Sequence, residues 1–340
     1  MTVELNTVTL RSGERMTVKR AQPPEPSYQQ QLADRYAHKG PTWRGDILRR
    51  LNGEFAESSQ DDYFFGEVDG SIVGGLWTTT PRDTRDVATL GHVFTPEDHR
   101  QKGVCDFLMQ AMTQVFREEG GQAMCLATGN PVARRIYEKY GFRLYNPPQS
   151  ERGGIFQWVV SGEPNFEERY FERAAPLRVR EVVWGDLPRF EALYNCPHPW
   201  LLKDEGLNVY RDVGYESQFL SVLRAVEEQR SVCLVLENAR RAVVGVARLT
   251  KSSVRWSAHV ANLELFVHPF YFADAPQLLQ DVLARCDPMQ AEVAHVYAAS
   301  SDDAKRDLLL SAGFHQAAHL LRQFKVGGEM RDLLIFSLRR

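Results

Sequence analysis

Thr95-Pro96-Glu97-Asp98-His99-Arg100-Gln101-Lys102-Gly103-Val104-Cys105 is the stretch on which the reading of this chain turns. Upstream of it, Val87 to Thr95 is rich in β-branched and apolar residues and reads as a strand. Downstream, Asp106 to Glu119 carries Phe107, Leu108, Ala111, Met112, Val115 and Phe116 at helical spacings, and Gly120-Gly121 stops the helix. A turn between strand and helix aims unpaired backbone N–H groups at one point, where the helix N-terminus adds about half a positive charge. That makes an anion site, with phosphate as its natural occupant. Gly103 permits close backbone approach, and Arg100 and Lys102 add formal charge. An exposed basic turn that merely caps a helix has the same composition, so the turn alone does not decide.

Working outward, strand-like segments lie at Tyr63 to Val68, Ser71 to Thr79, Ala123 to Ala127 and Ile155 to Val160. A second helix runs from Asn130 to Tyr140, with Pro131 in its first turn and Gly141 at its end. This order predicts an α/β fold built on a mixed, α+β sheet, with antiparallel hairpins ahead of the strand–helix units. Ala21 to Asp62, rich in Pro, Gln, Arg and Asp, is expected to hold helices and substrate-facing loops. The order then repeats. Val73-Gly74 returns as Val244-Gly245, Phe94-Thr95-Pro96 as Val267-His268-Pro269, and Gly141-Phe142 as Gly313-Phe314, at offsets of 171, 173 and 172. Two copies of one domain are expected, residues 1–163 and 177–340, joined by a polar linker at 164–176.

Composition bounds the rest. The chain has 340 residues, long enough for two cores, and is 43% hydrophobic and 25% charged. Lys plus Arg number 41 against 44 Asp plus Glu, a net charge of −3 with no bulk pull towards nucleic acid or anionic lipid. Apolar runs such as Ser231 to Leu236 fall far short of the roughly 20 residues a bilayer span needs, and Met1 to Met16 lacks the apolar centre of a signal peptide. A cytoplasmic location is expected, without nucleic-acid or membrane partners. Cys105, Cys125, Cys196, Cys233 and Cys286 include no C-x-x-C pair, which argues against a disulfide framework and against zinc; Cys196-Pro197-His198 lacks a second ligand pair, so no metal is expected.

Arg100-x-x-Gly103-x-Cys105 resembles the pyrophosphate loop of the GNAT acetyltransferase superfamily, with Cys105 where that pattern has Gly or Ala. Thr128-Gly129-Asn130-Pro131-Val132-Ala133-Arg134-Arg135-Ile136-Tyr137-Glu138-Lys139-Tyr140-Gly141-Phe142 is similar to the superfamily's next motif. The motifs cover Ala88 to Phe142, and the strand order extends the likeness from about Val18 to Val160.

The resemblance implies two splayed strands with the pantetheine arm of acetyl-CoA between them, and its pyrophosphate on Arg100, Gln101, Lys102, Gly103, Val104 and Cys105. It also implies that a backbone N–H at Val93 or Phe94, next to Thr95, polarises the acetyl carbonyl. Asn130 would hold the pantetheine arm or an ordered water. Tyr137 would protonate the departing thiolate, a thiol of pKa about 8 to 9 matched by a phenol of about 10; the bland alternative is a half-buried helix aromatic. For the base, His92 is the first choice, since strand alternation puts it on the face of Ala88, Leu90 and Phe94; a packed core histidine is the competing reading. Glu67 and Asp69 are weaker choices. Tyr36, His38 and Trp43 are candidates to line the acceptor pocket. Cys105 and Cys125 are disfavoured as nucleophiles because direct transfer needs none and no His-Asp pattern supports them.

The second copy departs from the first where chemistry is expected. Its turn reads Ala273-Asp274-Ala275-Pro276-Gln277-Leu278, with no positive charge, an Asp that repels phosphate and a Pro that removes an N–H; Leu309 stands in the place of Tyr137. Leu263, Leu265, Val267, Leu278, Leu279, Val282 and Leu283 keep the core pattern. The resulting expectation is an acetyl-CoA-dependent N-acetyltransferase acting on a primary amine, of a small molecule rather than a protein lysine. Its second copy would be silent: a buttress, a cover for the acceptor pocket or a homodimer contact. A non-catalytic acyl-CoA sensor is the alternative, and a longer acyl donor a third.

Overall fold

The computed structural model describes residues 1–36, 41–146, 154–211, 213–215 and 218–339, with the side chains of 41–43 and 146 left aside. Two compact units emerge. One comprises Met1–Leu144, Phe156–Glu163 and Trp184–Arg189, the other Tyr145–Ile155, Pro164–Val183 and Phe190–Arg340.

The first sheet is built from β1 (Thr2–Thr9), β2 (Arg15–Ala21), β3 (Ser59–Val68), β4 (Ser71–Pro81), β5 (Val87–Phe94), β6 (Ala123–Thr128), β7 (Arg143–Asn146) and β8 (Gly154–Val159), in the order β1-β2-β3-β4-β5-β6-β8-β7. The stretch from Ala21 to Asp62 holds α1 (Gln29–Arg35) and α2 (Pro41–Leu51); α3 (Val104–Glu118) joins β5 to β6, and α4 (Pro131–Lys139) joins β6 to β7. Strands β1 to β5 pair antiparallel, whereas β5 and β6 are parallel, as a strand–helix–strand crossover requires. The apolar stripe of α3, Leu108, Met109, Met112 and Phe116, packs with Val18, Phe64, Leu76, Ala88 and Leu90 of the sheet and with Tyr137, Phe142 and Trp158. Each fully buried side chain of this size contributes about 1.5 to 3 kcal/mol.

Two irregularities shape this sheet. The β5–β6 ladder registers only Val87 with Ala123, Ala88 with Met124 and Thr89 with Cys125, although both strands continue, so they part after Thr89. On the other side of β5, Gly75 pairs with Phe94 and Trp77 with Gly91, so a two-residue step on β4 faces three residues on β5. His92, at φ +53, absorbs the extra residue in a left-handed conformation costing about 1 to 2 kcal/mol. Beyond this bulge the alternation changes phase.

The second sheet uses β9 (Arg178–Glu181), β12 (Ser231–Glu237), β13 (Val243–Lys251), β14 (Val260–Val267), β15 (Val293–Ala299), β16 (His315–Val326) and β17 (Glu329–Arg339). Between them in sequence lie α6 (Leu187–Asn195), the small hairpin of β10 (Leu202–Asp204) and β11 (Val209–Tyr210), α7 (Phe219–Glu227), α8 (Ala275–Leu283) and α9 (Asp303–Ser311); α5 (Phe166–Tyr170) precedes β9. Its order, β9-β12-β13-β14-β15-β17-β16, is that of β2-β3-β4-β5-β6-β8-β7. Its parallel pair β14–β15 likewise registers from Val260–Val293 to Leu263–Val296 and no further. No helix among the described residues is long and apolar enough to cross a membrane.

Candidate active site

The phosphate-type turn is formed by a single 3-10 turn, Glu97–His99, followed by two residues at positive φ, Gln101 (+63) and Gly103 (+94). Gly103 is the N-cap of α3, a conformation that side chains rarely adopt. The first intrahelical bond runs from the Phe107 N–H to the Gly103 carbonyl at 3.2 Å, so the N–H groups of Val104, Cys105 and Asp106 lie ahead of it. The helix therefore begins two residues before the sequence reading placed it. Gly74 is where α3 rests on the sheet: a Cβ there would meet Val104 Cγ1 at 2.5 Å, and one at Gly75 would meet the Phe94 ring at 2.7 Å.

The charges of this turn are not all free. Arg100 Nε donates to the Thr95 carbonyl at 3.3 Å and has no carboxylate partner among the described residues. Lys102 Nζ is bound to Glu14 at 2.9 Å, so the charge read from sequence is neutralised where it stands. Asn130 is the N-cap of α4, its Oδ1 accepting from Val132 N–H at 2.9 Å and Ala133 N–H at 3.3 Å. That leaves its Nδ2 as the group able to reach a ligand.

Tyr137 is 6% exposed and shares a core with Val104, Cys105 and Val93, on the α3 side of the sheet. Burial, then the neighbouring Cys105, pushes its phenol well above the ordinary range, so it is protonated at neutral pH and a weaker acid than the simple phenol that sequence reasoning matched to a thiol. Burial, then Asp106, pushes the Cys105 thiol up to about 11, which leaves it inert as a nucleophile. Two residues that sequence reasoning passed over lock α4 against α3. Tyr140 Oη donates to Asp106 at 2.9 Å or to its carbonyl at 2.7 Å, and Lys139 Nζ reaches the same carboxylate at 2.6 Å.

His92 corrects an expectation. Strand alternation groups it with Ala88, Leu90 and Phe94, of which Ala88 and Leu90 belong to the α3-side core. The bulge turns it to the opposite face, where its ring lies 5.0 Å from Trp77 and 5.2 Å from Tyr36. Phe94 shares that face, edge-on to Tyr36 at 5.2 Å, while Val93 returns to the core side. Trp77 is held by its indole N–H donating to Asp61 at 2.8 Å, and Asp61 is paired with buried Arg50 at 2.7 Å. Around the point where β5 leaves β6, one face thus carries Val93, Cys105 and Tyr137, and the other His92, Phe94 and Tyr36.

Other candidates are elsewhere. Glu67 pairs with Lys19 at 2.7 Å and accepts from Tyr28 at 3.0 Å, at the β2 side of β3. Asp69 (φ +48) makes the β3–β4 turn with Gly70. His38 and the Trp43 side chain lie outside the described residues. Cys125 is buried in β6. In the second unit, Cys196 Sγ bonds to the Leu193 carbonyl, and His198 Nε2 lies 2.9 Å from the Val267 carbonyl with its pKa pushed down to about 3 by burial. Among the described residues no group of three or more His, Cys, Asp and Glu is arranged to hold a metal ion.

The parted strands and the glycine-capped turn are the features that the sequence motifs lead one to expect of the acetyltransferase family, and known proteins resemble this chain over the same residues. Residues 28–142 match the acetyltransferase (GNAT) family. An acetyltransferase of Agrobacterium fabrum is 32% identical over 113 residues, covering 33% of this chain and 79% of that protein. The N-acetyltransferase camello of Xenopus tropicalis is 30% identical over 114 residues, 33% of this chain and 49% of that protein. The chain spans about half the length of its Xenopus relatives. Among solved structures, an acetyltransferase of Salmonella typhimurium with its cofactor acetyl-CoA is 19% identical, with a TM-score of 0.43 over 48% of this chain and 94% of that one. The chain belongs to the GNAT acetyltransferase family.

Proposed function

We propose that residues 1–163 catalyse direct acetyl transfer from acetyl-CoA to the primary amine of a small molecule, with 164–176 a linker and 177–340 a silent second copy. The observation that carries this reading is the opening of β5 from β6 beside a bulge, which gives the gap two chemically different faces. Donor and acceptor can then approach from opposite sides. The amine nitrogen attacks the thioester carbon, the N–C bond forms and the C–S bond breaks. His92, directly or through water, takes the proton from nitrogen, and Tyr137 gives its proton to the departing sulfur. Backbone N–H groups at Val93 and Phe94 stabilise the carbonyl oxygen as charge develops on it. The diphosphate is held by the α3 N-terminus, Gly103 and Arg100, and the pantetheine arm by the Nδ2 of Asn130.

The silence of residues 177–340 is supported by a strand order equal to that of the first sheet, combined with Asp274, Pro276 and Leu309 at the matching positions. A second reading, a sensor that binds acetyl-CoA without turnover, is favoured by one observation: burial makes Tyr137 a poor acid. Calorimetric titration with acetyl-CoA and desulfo-CoA, followed by thiol release across a panel of primary amines, tests both. One saturable site per chain with amine-dependent thiol release is expected. Binding without release for any amine would favour the sensor, and no binding up to millimolar would remove both.

A further inference from the structure

Among the described residues, β1, and with it the β1–β2 hairpin, has no counterpart in the second sheet. Its turn is tight: Leu10 N–H donates to the Glu14 carbonyl and Gly13 N–H to the Leu10 carbonyl, each at 2.9 Å, with Gly13 at φ +87. It docks on the phosphate-type turn at two points. Arg11 N–H donates to the Lys102 carbonyl at 3.0 Å, and Glu14 takes the Lys102 ammonium at 2.9 Å.

Two consequences follow for an incoming polyanion. Lys102 is spent on Glu14, and the hairpin brings a different cation in its place. Arg11 is exposed, its backbone is pinned by the Lys102 carbonyl, and among the described residues its guanidinium has no hydrogen bond or ion pair. It is close enough to Asp106, on the first turn of α3, to act on that carboxylate electrostatically. Asp106 is already taken by Lys139 and Tyr140, so it offers Arg11 no free partner. The backbone bond to Lys102, within the turn, and the influence on Asp106, in the first turn of α3, put Arg11 at the edge of the N–H groups suited to a diphosphate.

We propose that Arg11 recognises the 3′-phosphate of the CoA donor, the one further anion that CoA carries besides its diphosphate; this rests on the donor-site reading above. A planar guanidinium with five donors suits a phosphomonoester dianion, which it can bind in two-pronged fashion. Selectivity for the 3′-phosphorylated donor then belongs to the hairpin rather than to the turn.

The test is titration of the full chain, as wild type, Arg11→Ala and Arg11→Lys, with CoA and with 3′-dephospho-CoA. Wild type is expected to bind CoA about tenfold more tightly than 3′-dephospho-CoA, a gap that narrows with salt. Arg11→Ala should weaken CoA to the level of 3′-dephospho-CoA without changing the latter, and Arg11→Lys should fall between, with unchanged melting temperatures. Equal weakening of both ligands would reassign Arg11 to the diphosphate and overturn the proposal. So would a wild type that does not discriminate. If neither ligand binds wild type, the donor-site reading fails first, and the proposal with it.

Discussion

The turn before α3 and the turn before α8 occupy the same place in two sheets of the same strand order, yet they offer opposite environments to an anion. The first has Gly103 at φ +94, N–H groups ahead of the helix and, among the described residues, no carboxylate on Arg100. The second has Asp274 at the N-cap position of α8 and Pro276 in its first turn, with Asp274 bound to Arg173 at 2.9 Å. The contrast continues at the parting strands. In the second sheet, the chain's own segment before β11 is hydrogen-bonded there: His198 to the Val267 carbonyl, Leu201 and Leu202 N–H to Asp302, and Glu205 and Gly206 N–H to Glu264. Two sheets can share strand order and core while the polar groups at the parting strands stand open in one and are engaged by the chain itself in the other.

Breaking the first turn gives the largest expected effect. Gly103→Trp must place a bulky side chain at a left-handed position, so a loss of about a hundredfold or more in acetyl-CoA affinity is expected, with a melting temperature lower by several degrees from about 1 to 3 kcal/mol of backbone strain and the chain still folded. Unchanged binding in calorimetry would mean that the turn is misassigned. Next, Tyr137→Phe should slow amine-dependent thiol release by about ten- to a hundredfold while acetyl-CoA affinity stays within about twofold. Equal turnover would remove Tyr137 as the acid.

The second unit is tested by pH. Glu264 is pushed up to about 8 by burial first and then by the nearby Asp204 carboxylate, against the pull of Lys305 and Arg248. The native chain therefore keeps a proton that an unfolded chain, with a glutamate pKa of about 4.3, releases. The stability this gives is complete below about pH 4 and is lost as pH rises towards about 8. Melting curves of wild type and Glu264→Gln should diverge in slope across that range, by about 3 °C in relative melting temperature. Parallel curves would place the Glu264 proton elsewhere. The smallest expected effect is in the second turn: Asp274→Ala with Pro276→Gly should leave acetyl-CoA stoichiometry at one per chain and cost at most about 1 kcal/mol, since Arg173–Asp274 is a solvent-screened pair. A stoichiometry of two would show that those two residues alone had silenced the copy.

Much of the first site was legible because its signals are local. Gly103 after a strand and before an amphipathic stripe, and Asn130-Pro131 at a helix start, declare their backbone conformations within a few residues. Other parts were legible only in composition. Lys102 reads as a phosphate ligand until Glu14, 88 positions away, is seen to hold it. Tyr137 and Cys105 read as reactive groups until burial is known, and burial raises both their pKa values. Nothing nearby in sequence announces that Tyr140 and Lys139 close on Asp106 across two helices.

By itself, the sequence determined the strand and helix order, the doubled pattern, the glycine in the turn before α3 and the different residues, Asp274, Pro276 and Leu309, at the corresponding places of the second half, all of which depend on steric and hydrogen-bonding properties of neighbouring residues. Tertiary structure alone decided which face His92 occupies. A two-residue period cannot reveal one inserted residue, and the bulge opposite Gly75 and Trp77 exists only once β4 and β5 pair. Tertiary structure likewise decided which charges near the turn are spent and which are free, because electrostatic partners are chosen by distance in space, where Glu14 neutralises Lys102 and Arg11 is left exposed beside it.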